Sequence, residues 1–300
     1  LTARAARKRG GRFFFGRGGM SRLDGGRPAG RSGVGTNPAR RETMHEPRPE
    51  EIDDQGQPPP PEPVFNLPRI VRSLALLLIG IYAADRFLMP MSSRIEVLLA
   101  YGFLPARYLP DAVVLYQLPG GEGAKVWSFL TYAFLHGSWA HLFVNVMWMV
   151  VFGSAVARRF GAARFLLLSA VCAVAGAALH LAFHFGELVP MIGASAAISG
   201  QMAAATRFVF DMGGPLGAMR RTDDLAYQRP ASNMLTTLSN PRVAMFMLVW
   251  FGLNLLFGVV SVPIVGEGGS IAWEAHIGGF VAGFALFSLF DPVPRRRNGG

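Results

Sequence analysis

Six apolar stretches, at 70–88, 139–156, 163–183, 194–210, 243–260 and 271–290, leave this chain few folds to choose from. About 20 predominantly apolar residues cross a hydrocarbon core as a helix. In that core every backbone N–H and C=O must find its partner inside the structure, which a helix achieves alone. The expected fold class is therefore an all-α polytopic membrane protein, a bundle of six transmembrane helices. Composition agrees: 51% of the residues are hydrophobic and 16% charged, with a mean hydropathy of +0.32, too apolar for a soluble domain. The first stretch is the poorest, with Arg72 near one end and Asp85-Arg86 near the other, but charged side chains at helix ends can reach back to the interface.

Residues 89–134 are broken by Pro90, Pro105, Pro110 and Pro119-Gly120-Gly121. They are too interrupted to span, and read as short helices lying in the interface or partly embedded against protein. Residues 211–241 are polar and turn-rich and read as a cytoplasmic connection. Residues 1–66, rich in Gly, Arg and Pro, cannot bury a core and are expected to form a disordered tail. The membrane domain is then 67–291, with 292–300 a basic cytoplasmic tail. The first residue is Leu1; Met20 and Met44 are both candidate starts, Met44 opening a short acidic, Pro-rich leader. Phe13-Phe14-Phe15 is too short for the apolar core of a cleavable signal peptide.

The net charge of +10 would suit a nucleic-acid partner if it lay on a folded surface, but residues 1–43 carry eleven Arg and Lys against Asp24 and Glu42. The rest of the chain is nearly neutral, so no nucleic-acid groove is expected and the lipid bilayer is the implied partner. Six spans put both termini on one side. They also put the N-terminal tail, Arg158/Arg159/Arg164, Arg220/Arg221/Arg229/Arg242 and Arg295–Arg297 on that side, opposite Glu96, Asp111, Glu122, Glu187 and Glu267. The positive-inside rule makes it the cytoplasmic side. The single cysteine, Cys172, permits no intramolecular disulfide and no cysteine-based metal site.

Ionisable groups in hydrocarbon cost roughly 2.5–3.5 kcal/mol when charged, which makes an intramembrane histidine a functional candidate. His276 lies inside the sixth stretch, in Ala275-His276-Ile277-Gly278-Gly279. Read alone, it serves equally well as a neutral histidine hydrogen-bonded between helices. His141 and Asn145 are four apart and share a helical face; interhelical hydrogen bonding is the alternative for both. His136 reads as helix-start or loop structure. Ser195 opens the fourth stretch behind Gly193, where unpaired N–H groups at a helix start could stabilise an oxyanion; its plainer reading is an N-cap. Ser199, one turn on, reads as a small packing residue. Gly279 and Gly283 form a small-residue stripe beyond His276, to which the small face of Ala194, Ala197, Ser199 and Gly200 is suited. If those faces meet, Ser195 faces His276. Glu274 should point elsewhere on its helix, so a Ser–His dyad rather than a triad is expected. His180 and His184, at the end of the third stretch, are accounted for by interface polarity.

Taken together, Gly193-Ala194-Ser195 on the fourth segment, Ala275-His276 with Gly279 and Gly283 on the sixth, and His141 with Asn145 on the second resemble the rhomboid intramembrane serine proteases. The resemblance covers about 70–290 and includes the long, partly embedded first loop. It implies that Ser195 is the nucleophile and His276 the general base and then acid. Asn145, His141 and the Ser195 N–H would form the oxyanion hole. It also implies transmembrane protein substrates cut near the extracytoplasmic face, no metal or cofactor, and a bacterial plasma-membrane location. Two positions depart from the family pattern: Ala196 stands where a glycine often follows the nucleophile, and Ser128 follows Trp127 where many members have arginine. The second departure removes a charge that anchors the loop. The rival readings are a catalytically inactive relative that escorts membrane proteins, a solute pathway lined by His141, Asn145 and His276, and a metalloprotease. Against the last, no His-Glu-x-x-His is present and no carboxylate lies at ligand spacing.

Overall fold

A computed structural model describes residues 67–216, 224–259 and 272–294. All belong to the second of two compact units, Glu62–Gly300. The expected tail 1–66, Arg220 and Arg221, Glu267, and Arg295–Arg297 lie outside the described residues.

Each of the six apolar stretches contains a helix. The first is α1 (Arg69–Leu88). The loop after it folds as short pieces, as its prolines dictate: α2 (Met91–Tyr101), a 3₁₀ turn at Pro105–Tyr108, α3 (Ala112–Leu115), α4 (Ala124–Thr131) and a 3₁₀ turn at Tyr132–Phe134. The second stretch is α5 (Trp139–Trp148), a π turn (Met149–Gly153) and α6 (Ser154–Phe160), helical throughout. Gly161, at φ +75°, turns the chain directly into α7 (Ala162–His184). The fourth stretch is α8 (Ser195–Thr206). After α9 (Met234–Leu238) come α10 (Pro241–Val259) and α11 (Trp273–Phe290). Among the described residues there is no β-strand, only one isolated bridge, Phe103 to Met191. Trp139–Phe160, Ala162–His184 and Trp273–Phe290 are long and apolar enough to cross a membrane, and Pro241–Leu256 is a shorter apolar helix. The chain is an all-α polytopic membrane protein.

The fourth stretch is shorter than its hydropathy suggests. At about 1.5 Å per residue, the 12 residues of α8 reach only about 18 Å, against a hydrocarbon core of about 30 Å. Eleven of the twelve are buried, so α8 is the axis of the bundle and is sheathed by protein rather than lipid. Its far end stops at Arg207, which is fully buried and donates to Phe284 O and Ser232 O, both at 3.1 Å. The outward faces of α7 and α10 carry Leu166, Leu167, Leu248 and Val249 to the surface, where lipid tails solvate them.

Helices α7, α8 and α11 meet backbone to backbone. A Cβ on Gly283 would lie 2.5 Å from Gly200 Cα, and one on Gly279 would run into the Ala196 carbonyl. A Cβ on Gly176 would lie 2.7 Å from Ala275 O. Gly283→Val is therefore expected to destabilise the bundle by about 1–3 kcal/mol or more through overpacking. Thermal unfolding in detergent reads this, with Gly252→Val, at a position with nothing within 4 Å, as the control that stays near wild type.

At the opposite end from the first loop, Arg159 is buried and does more than set topology. It grips Asp291 with Nε and Nη2 at 2.9 and 2.8 Å, and Nη1 donates to Tyr227 O and Arg229 O. Ser232 N–H donates to Asp211 at 3.0 Å. The described part of 211–241 is thus docked onto the helix ends rather than a free connection.

Candidate active site

The lead-in to α8 is held by the first loop. Phe103 and Met191 exchange both backbone hydrogen bonds (3.0 and 2.8 Å), Ala106 N–H donates to Glu187 O, and Gly193 N–H donates to Tyr132 O. This keeps the residues before Ser195 extended until Gly193, whose φ of +119° is open to glycine and strained for any other residue. A Cβ there would also lie 2.7 Å from His141 Cε1 and Nε2. Gly193 therefore lets the His141 ring sit against the start of α8. Ala194 is the N-cap residue and Ser195 the first residue of the helix, with no side-chain cap. This sets aside the N-cap reading of Ser195 and leaves its hydroxyl free of the backbone.

That hydroxyl lies 2.7 Å from His276 Nε2. The other imidazole nitrogen, Nδ1, is 2.5 Å from Asn254 Oδ1. Asn254 Nδ2 donates to Trp250 O at 2.8 Å, which fixes the amide with its oxygen towards the histidine. An amide oxygen only accepts, so Nδ1 carries the proton and Nε2 presents a lone pair to Ser195. Among the described residues, the side chain behind His276 is an amide rather than a carboxylate. Asn254 from α10 takes that place, and sequence reasoning missed it. Its one signal was an amide inside an apolar stretch.

On α5, Ser138 caps the helix by accepting from His141 N–H at 3.0 Å, and Asn145 Nδ2 donates to His141 O at 2.9 Å. Asn145 is buried and retains a second N–H. His141 Nδ1 has no hydrogen-bond partner among the described residues. Ser195, His276, Asn254, His141 and Asn145 all line one cavity of about 960 Å³. Ser199 donates back to Ser195 O at 2.7 Å and stays within its own helix. His136, before α5, packs on His141 with ring centroids 5.1 Å apart. Burial, with His141 adding to it, pushes His136 down to about 3, so it stays neutral and serves as loop structure.

The Rhomboid domain model matches residues 123–291, more than half of the chain. The chain belongs to the rhomboid family. Rhomboid-like protease 1 of Toxoplasma gondii is 28% identical over 167 residues, which is 56% of this chain and 48% of the relative. The chain thus spans about half the length of that curated relative. The rhomboid match begins inside the first loop, at residue 123, so α1 and α2 lie before it.

Two expectations need correction. The missing arginine beside Trp127 was expected to leave the first loop without an anchoring charge. Instead Arg107, fully buried, donates to Leu99 O at 2.5 Å and Gly121 O at 3.2 Å. Tyr108 donates to Lys125 O, and Trp127 to Ala100 O. Arg107→Ala would leave two carbonyls without their donor, at about 1–3 kcal/mol. Amide exchange across 99–121 is expected to speed by about 5–150-fold. Second, a carboxylate does lie at ligand distance from the histidines of the third stretch. Glu274 Oε1 is 2.5 Å from His180 Nδ1 and 3.1 Å from His184 Nε2. The pairing joins residues 94 apart in sequence, which sequence spacing cannot show.

Proposed function

We propose that this rhomboid-family chain is an intramembrane serine endopeptidase that cleaves transmembrane segments of other proteins. The observation that carries the reading is the Ser195 hydroxyl 2.7 Å from His276 Nε2, with the imidazole held from behind by Asn254. In the proposed reaction Ser195 Oγ attacks the scissile carbonyl as Nε2 takes its proton. The oxyanion would be received by the unpaired N–H groups of the α8 start and by the side chains of Asn145 and His141. Collapse breaks the C–N bond, and His276 returns the proton to the leaving amine. A water molecule entering the cavity then hydrolyses the acyl-enzyme, with His276 again the base. No cofactor is required by this sequence of steps.

A peptide carbonyl in a substrate helix is held in the i→i+4 ladder, so the substrate must unwind before attack. Segments with glycine or other weak helix formers near the membrane surface should be preferred. The six helices would place both termini in the cytoplasm and the cavity on the extracytoplasmic side.

The test is cleavage of a tagged model transmembrane segment by the purified full chain in liposomes, with the cut located by mass spectrometry. A single cut near one bilayer face supports the reading. Capture of the segment without any cut, together with no labelling of Ser195 by a fluorophosphonate, would favour an escort protein instead.

A further inference from the structure

A second cluster of polar side chains lies on the wall of the same cavity and takes no part in the proposed proteolysis. His180 and His184 are one turn apart near the end of α7, so both imidazoles face the same way. Glu274, in the first turn of α11, reaches across to them. The ligand atoms of all three lie within 4.8 Å of one another. Glu274 and His180 are both largely buried, and the carboxylate is 2% exposed. A metal held tetrahedrally at about 2.0–2.2 Å would have its ligand atoms about 3.3 Å apart. The observed 2.5 and 3.1 Å contacts are within a small side-chain adjustment of that.

The surroundings also suit a metal. His184 turns Nε2 towards Glu274 and Nδ1 towards Glu187 Oε2, at 3.0 Å. A carboxylate behind the imidazole is the arrangement that fixes the tautomer of a metal-bound histidine. Two imidazole nitrogens and one carboxylate form a donor set for zinc and its neighbours rather than for calcium or magnesium, which take oxygen. Three protein ligands leave a position open to the cavity.

We infer that His180, His184 and Glu274 form a binding site for a zinc-like divalent cation that ties the end of α7 to the first turn of α11, with Glu187 orienting His184. Glu274 is two residues before His276 on the same helix, so an ion here clamps the segment that carries the histidine paired with Ser195. The site stands apart from the peptidase reading, and its test does not use cleavage.

The experiment is a Co²⁺ titration of the full chain, purified in detergent without a polyhistidine tag and followed by visible absorption. The expected result is one Co²⁺ per chain with the intense bands of a four- or five-coordinate site, and a rise in thermal midpoint with Zn²⁺. His184→Ala should abolish the bands. His184→Cys should restore binding with a thiolate-to-cobalt charge-transfer band, which separates loss of a ligand from loss of fold. Glu187→Gln should weaken binding by about 10–100-fold. Absence of the bands in the wild type, or bands undiminished in His184→Ala, would overturn the site.

Discussion

Ser195→Ala and His276→Ala are each expected to lower the rate of substrate cleavage by about 10⁴–10⁶-fold, and the double variant should be no slower than either single one. A nucleophile and its base act as a unit, so removing the second part after the first costs little more. The two side chains share one hydrogen bond of 2.7 Å. Kinetics in proteoliposomes, with fluorophosphonate labelling as an independent readout, measure this. A double variant slower by the product of the single effects would mean that the two residues contribute independently, and the dyad reading would fail. Neither substitution should disturb the bundle, because the close α8–α11 contacts run through Ala196, Gly200, Gly279 and Gly283.

The second large effect concerns Asn254. Its Oδ1 accepts the Nδ1 proton of His276, and that bond must strengthen as the imidazole gains positive charge in the transition state. Hydrogen bonds to charged groups contribute about 1.5–3 kcal/mol, so Asn254→Ala should lower kcat by about 10–150-fold. KM should change little, because Asn254 acts through His276. Asn254→Asp keeps an acceptor facing Nδ1 and should restore kcat. A purely structural role would give a different pattern, with Ala and Asp variants losing thermal stability and activity in parallel. Asn254 sits on α10, which is attached to the bundle through side chains: Trp250 stacks on Phe280 at 4.5 Å and Phe246 meets Phe152 at 5.4 Å. A movement of α10 that widened the cavity would also withdraw the orienting amide, linking access to readiness for catalysis.

The sequence determined the class of fold because lipid leaves an apolar run of about 20 residues one way to satisfy its backbone. That constraint is local, so the helices at 69–88, 139–160, 162–184, 241–259 and 273–290 stand close to where hydropathy put them. It also marked Ser195, His276, His141 and Asn145, since polar groups are costly in that setting and stand out. The glycines at 193, 279 and 283 were legible for a related reason: lacking a Cβ, they are informative wherever backbones approach closely or φ turns positive.

Tertiary structure alone decided the partners. Hydropathy could not shorten α8, because a helix wrapped by protein and one wrapped by lipid have the same apolar composition. It could not choose Asn254 as the group behind His276, Arg107 as the anchor of the first loop, or Asp291 as the mate of Arg159. It also could not bring Glu274 to His180 and His184. Arg107 finds its partners within its own loop; the other contacts join different helices, and their distances are set by how the helices pack rather than by any spacing along the sequence.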